Sequence, residues 1–185
     1  AALTVGLAAC APTTGPAAPT GAVPVVGQGT VIQTGDSAPE LCLGAIAESY
    51  PPQCGGPELS GWDWSSVEGQ ETSGDVTWGT YAVWGDWDGT ALAVTSQIQL
   101  ALYDPMPFID PYEDAANAGS TPDARLQEIQ AELFKDAPVE VLLTSIHNGY
   151  LFTTVVFDDG SVQAWADETY GANVVLIRPA LRVVQ

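Results

Sequence analysis

Positive charge is almost missing from this sequence. Its 185 residues include four Lys or Arg against 23 Asp or Glu, a net charge of −19. Arg125, Lys135, Arg178 and Arg182 are the whole basic complement, and residues 1–124 carry 15 acids and no base. Phosphate recognition needs clustered Lys and Arg, so nucleic acid is a poor partner. The acids themselves suit an exposed surface, or attraction of a basic partner. Histidine occurs once, at His147. Long apolar runs are missing too: no stretch reaches the roughly 18 to 20 residues that a helix needs to cross a bilayer. Cysteine is scarce and odd in number, with three residues.

What is present is enough for a core. Hydrophobic residues make up 46% of the chain, which argues against global disorder and for one medium domain or two small ones. Residues 1–9 are small and apolar, and they read as the end of a signal-peptide hydrophobic region. Residues 11–26, APTTGPAAPTGAVPVV, hold four prolines and no charge. Such a stretch favours extended polyproline conformations and reads as a tether.

Between these two segments stands the odd cysteine. Leu7-Ala8-Ala9-Cys10 resembles the bacterial lipobox, a Leu and two small residues before a Cys. The resemblance covers residues 1–10. It implies that the Cys10 thiol is diacylglycerylated, that the chain is cut just before it, and that Cys10 becomes the N-terminus of a protein anchored to the membrane by lipid. The two remaining cysteines, Cys42 and Cys54, enclose LGAIAESYPPQ. Outside the cytoplasm they are expected to form a disulfide. A metal site is the weaker reading, because no His or further Cys lies at ligand spacing. The pattern CLG…SYPPQCGGP with several Trp after it is similar to uncharacterised secreted lipoproteins of high-GC Gram-positive bacteria, over residues 28–100. That resemblance implies no particular activity.

Strand patterns dominate residues 27–105. Thr30–Gln33 is rich in β-branched residues. Val76, Trp78, Tyr81 and Val83 mark a second strand, with an irregularity expected near Gly79. Asp86-Trp87-Asp88-Gly89 reads as a turn, and residues 90–103 as further strand. Short strands with Gly-rich turns predict a small barrel or sandwich, OB-like in one version. Residues 106–121, acidic and containing Pro, read as a linker. Residues 122–185 predict an α-β-β-α-β layer, so the fold class is α+β. Its first helix is expected to be capped by Thr121 and to bury Leu126, Ile129, Leu133 and Phe134. Asn148-Gly149 is expected to be a hairpin turn. Ser161 is expected to cap a helix over 162–170, and 174–177 is the last strand.

Catalytic signatures are weak. Gly35-Asp36-Ser37 follows a strand, as the nucleophile block does in GDS-type esterases, but that family places its His three residues after an Asp, and position 144 is Thr. The Gly-x-Ser-x-Gly elbow is absent. Asp86, Asp88, Asp158 and Asp159 offer oxygen ligands, yet neither loop has the spacing of a calcium loop. Trp62, Trp64, Trp78, Trp84 and Trp87 lie within 26 residues. Trp78 and Trp84 sit in strand patterns and read as core. Trp62, Trp64 and Trp87 flank Gly and Asp and are the candidates for an exposed aromatic surface. The competing reading has Trp62 and Trp64 close a small core. The expectation is an anchored, monomeric binding module without a cofactor, its partner an envelope protein or glycan. The alternative is an extracytoplasmic hydrolase without a recognisable motif.

Overall fold

The computed structural model describes residues 21–105 and 109–184. Cys10, the signal-like residues 1–9 and most of the expected tether lie outside them. The chain is α+β, as its patterns predict. The strands are β1 (Val23–Thr34), β2 (Glu40–Cys42), β3 (Glu58–Ser60), β4 (Glu71–Ser73), β5 (Val76–Trp87) and β6 (Ala91–Gln99). They are followed by helix α1 (Asp123–Asp136), β7 (Val141–His147), β8 (Tyr150–Val155), helix α2 (Ser161–Tyr170), β9 (Val175–Pro179) and β10 (Arg182–Val183).

Five strands close into a ring. β1 pairs antiparallel with β2 (Thr30 opposite Cys42), β2 with β3 (Glu40 opposite Glu58), and β3 runs parallel to β6 (Leu59 beside Leu92). β6 returns antiparallel along β5, and β5 pairs with β1 from Val23 opposite Trp87 to Thr34 opposite Val76. This is the small barrel of the OB-like expectation, with β4 and β10 as additional strands on β5 and β1. Alternate residues point inward, as the pleat requires. Val25, Val31, Tyr81, Val83, Trp87 and Leu92 fill the barrel with Leu41 and Leu59. Gly27 faces the same interior. A Cβ there would stand 2.6 Å from Leu181 Cδ2 and 2.9 Å from Leu41 Cδ2, so the missing side chain is what lets those leucines in.

Several expected boundaries move. β1 begins at Val23, so residues 23–26 belong to the barrel and not to the tether; Val25 is fully buried. The register shift in β5 falls between Trp84 and Gly85, not at Gly79. β6 ends at Gln99, and Leu100–Leu102 is a 3₁₀ turn.

The second layer is a three-stranded sheet in the order β7-β8-β9. The Asn148-Gly149 turn joins β7 to β8 with φ of 52° and 77°, as a tight hairpin requires. Leu126, Ile129 and Leu133 of α1 pack on Leu151, Ala166 and Val175. Phe134 does not join them and is 58% exposed. At about 100° per residue it lies about 80° past Leu126, while Ile129 and Leu133 fall on the other side of it. Thr121 does not cap α1; Pro122 occupies that position without a side-chain bond. Nor is Ser161 a cap. It is the first residue of α2 after Gly160, and Asp158 Oδ1 accepts from Gly160 N and Val162 N, both at 2.9 Å.

Residues 109–120 are held against this layer rather than free as a linker. Arg178 donates to Asp110 Oδ2 at 2.7 Å and to Glu113 Oε1 at 3.0 Å, and its guanidinium lies 3.8 Å from the Phe152 ring centre. Asn148 Nδ2 donates to the carbonyls of Tyr112 and Asp114. The two layers also join directly. After β9, Ala180 N donates to Val155 O and Leu181 N to Val156 O, both at 2.9 Å, and Leu181 enters the barrel core. Residues 181–183 therefore belong to the barrel, although they follow the expected last strand of the second unit.

Candidate binding cleft

Cys42 and Cys54 are bridged, with an S–S distance of 2.07 Å. Cys42 is buried against Ile32 and Trp78 on the outer side of the barrel, with Val76 and Cys54 packed on the cluster. Tyr50, from the enclosed loop, meets Trp78 edge-on at 5.2 Å. Such bridges persist in oxidising surroundings and point to an extracytoplasmic location. Among the described residues no helix is long and apolar enough to cross a membrane.

The three candidate tryptophans do not form one exposed patch. Trp87 is 7% exposed and belongs to the barrel core, a correction to its expected exposure. It follows Tyr81, Val83 and Gly85 at intervals of two, so the pleat turns it inward although the next residues are a polar turn. Trp62 and Trp64 are half-buried and pack on the barrel core. Their rings meet edge-on at 5.3 Å, and Trp62 meets Tyr81 at 5.0 Å. Asp63 between them is the cap of a 3₁₀ turn, so the pair is not a simple extended step. Trp64 Nε1 donates to Gln33 Oε1 at 2.6 Å. Tyr81 Oη donates to Glu68 O at 3.0 Å, and burial pushes its phenol pKa up. Trp84 is half-buried against Tyr103.

A cleft of about 880 Å³ lies between the barrel and the second layer. Its barrel wall starts at Leu43, just after β2, and continues through Gly55, Gly56 and Pro57 beside the disulfide. This wall is pinned: Gly56 N donates to Glu40 Oε2 at 3.2 Å, and Leu41 N to Pro57 O at 3.0 Å. A Cβ on Gly56 would run into the Leu41 carbonyl, so only glycine lets the two segments meet this closely. Trp87, Gly89 and Thr90 complete the wall. The opposite wall is Val139, Glu140 and Leu142 before and within β7, Val156 and Phe157 after β8, and the start of α2.

Chemically the cleft has an apolar floor and an acidic rim. Glu140, Asp158 and Asp159 line it, and no Lys, Arg or His does. The first turn of α2 offers no spare donors to an anion. Val162 N is bound to Asp158, and Ser161 N donates to Asp159 Oδ1 at 3.0 Å. The Ser161 hydrogen bonds hold the Asp159 carboxyl below its ordinary pKa. His147 stands exposed at the end of β7, outside the cleft lining. Ser37 spends its hydroxyl on the Thr34 carbonyl at 2.8 Å, so Gly35-Asp36-Ser37 is a polar turn. Asp88 Oδ1 likewise accepts from Thr90 N and Ala91 N, both at 2.8 Å. Leu142, Val156 and Phe157 are lining residues that no motif marks in the sequence. The available signal was the run Val155-Val156-Phe157-Asp158-Asp159, in which a buried strand continues apolar past its own end. No protein-family model, no curated protein and no solved structure matches the chain.

Proposed function

We propose that this protein is a binding module displayed at the cell envelope and anchored there by lipid on Cys10. The cleft carries the binding half of this reading. It has the size of a ligand site, apolar walls from two layers and a few polar groups at its rim. A Ser- or Cys-type hydrolytic site needs a nucleophile, a base and an orienting group within hydrogen-bond reach. The cleft lining has no imidazole, and its Asp158 and Asp159 carboxylates are occupied in capping α2. The lipobox resemblance at Leu7-Ala8-Ala9-Cys10 supports the anchoring half, and the disulfide supports only its extracytoplasmic location.

Each half has its own test. The full-length precursor, expressed in a bacterium, is expected to partition into detergent, and Cys10→Ser to shift it to the aqueous phase. Equal partitioning of the two forms would refute lipid anchoring. For the cleft, a ligand screen read by NMR should find compounds that shift the Gly56 and Val156 amides and the Trp87 indole together. A broad screen that moves none of the three would refute the binding reading.

A further inference from the structure

We infer that the cleft takes a basic peptide segment of a partner protein, one in which Lys or Arg alternate with apolar residues. This rests on the reading of the cleft as a binding site and names its occupant.

Four observations narrow the class. First, the floor is apolar, with Leu142, Val156 and Phe157 packed on the barrel core that includes Trp87 and Leu43, so the occupant must bring apolar surface. Second, every charged residue that lines the cleft is an acid. The rest of the molecule reinforces that field. The net charge is −19, and two of the four cations are already paired, Arg125 with Glu128 and Glu132, and Arg178 with Asp110 and Glu113. A cationic occupant is drawn in over distances of about a Debye length, roughly 8–10 Å at ordinary salt. An anionic one is repelled and finds the α2 amides taken. Third, the acids do not converge. Among the described residues no group of three or more His, Cys, Asp and Glu could close on one ion. The charge stands at two places, Glu140 before β7 and the neighbouring Asp158 and Asp159 before α2, which suits a ligand with more than one cation along its chain. Fourth, about 880 Å³ lies near the upper end of the roughly 300–1,000 Å³ of ligand sites. A short segment fills it, whereas a broad protein face would rest outside.

The test uses a blocked eight-residue peptide of alternating Lys and Leu, titrated into the full chain. Glu-Leu and Ser-Leu peptides of the same length serve as comparisons. The Lys-Leu peptide is expected to bind, to shift the Trp87 indole, and to weaken at least about tenfold from low to high salt. Glu140→Lys and Thr90→Arg place a cation on opposite walls at exposed positions. Each is expected to weaken binding about tenfold at an unchanged melting temperature. Asp75→Lys reverses an exposed charge outside the cleft lining and should change it less than about threefold. Equal weakening by Asp75→Lys would mean diffuse attraction to an acidic surface and would overturn the inference. So would Ser-Leu or Glu-Leu peptides that shift Trp87 at the same or lower concentration; the cleft would then remain a binding site with a different occupant. If none of the peptides moves the cleft, the inference fails, while the binding reading stands or falls with the ligand screen.

Discussion

Leu181→Ala is expected to lower the unfolding free energy by about 3 kcal/mol, within the 2–5 kcal/mol that truncating a buried leucine costs. Leu181 is fully buried in the barrel core, yet the chain reaches it only after leaving the second layer. Two backbone bonds, from Ala180 N and Leu181 N to the carbonyls of Val155 and Val156, fix its approach. The gap it fills is shaped by Gly27, whose absent Cβ is the space its methyl occupies. Neighbours can relax into the cavity only in part, because β1 is bonded to β5 along its length. The loss should also be felt in both layers. Amide exchange is expected to speed up in β8 as well as in β1. Val183→Ala, two residues on and 54% exposed, serves as the control and should stay within about 0.5 kcal/mol. A Leu181→Ala loss below about 1 kcal/mol would mean that the C-terminal segment is a passive strap and that the layers fold separately.

Replacing Cys42 and Cys54 together by Ala is expected to cost a further independent amount of about 3 kcal/mol. The bridge closes a loop with a sequence separation of 12, and the chain-entropy model gives roughly 3 kcal/mol for a loop of that size. Packing adds to this. Cys42 is 2% exposed and lies on Ile32 and Trp78, so the released loop uncovers a small apolar cluster on the outer face of the barrel. In urea, with a slope of about 1–3 kcal/mol/M, the midpoint should fall by about 1–3 M. A midpoint that does not move would show that the loop is held by its own bonds, such as the one from Ala47 N to Gln53 O. The barrel wall of the cleft depends on the same bridge, through Gly55 and Gly56. Loss of the bridge should therefore weaken any cleft ligand as well.

Local signals were legible in the sequence wherever the physics is local. Asn148-Gly149 demands positive φ and gives a hairpin. Leu126, Ile129 and Leu133 repeat at helical spacing and form the buried stripe. The cysteine pair follows from compartment and count. Pairings between distant segments left no such trace. Val23-Pro24-Val25-Val26 reads as tether because it is uncharged and holds a proline. It is strand because Val25 and Val26 meet β5 on one edge and β10, residues 182–183, on the other. The proline is tolerated near the strand start, where its carbonyl still accepts from Val184 N at 3.0 Å. The barrel could be anticipated from short strands and glycines, but the parallel contact of β3 with β6 could not. The cleft was hidden for the same reason. Its walls come from residues 43–57, 87–90, 139–142 and 156–162, which are adjacent only once both layers have formed.

The route of the chain also sets an order of events. The ring β1-β2-β3-β6-β5 has all its strands by Gln99. Its core has not: Leu181 and the β10 partners of Val25 and Val26 arrive more than eighty residues later, after an entire second layer has been made. A nascent chain therefore carries all the ring strands without this plug from Gln99 until Leu181 is made. Contacts of such long sequence separation are slow to form, since the loop between them must be ordered first. The barrel core is completed only when Leu181 and residues 182–183 join it.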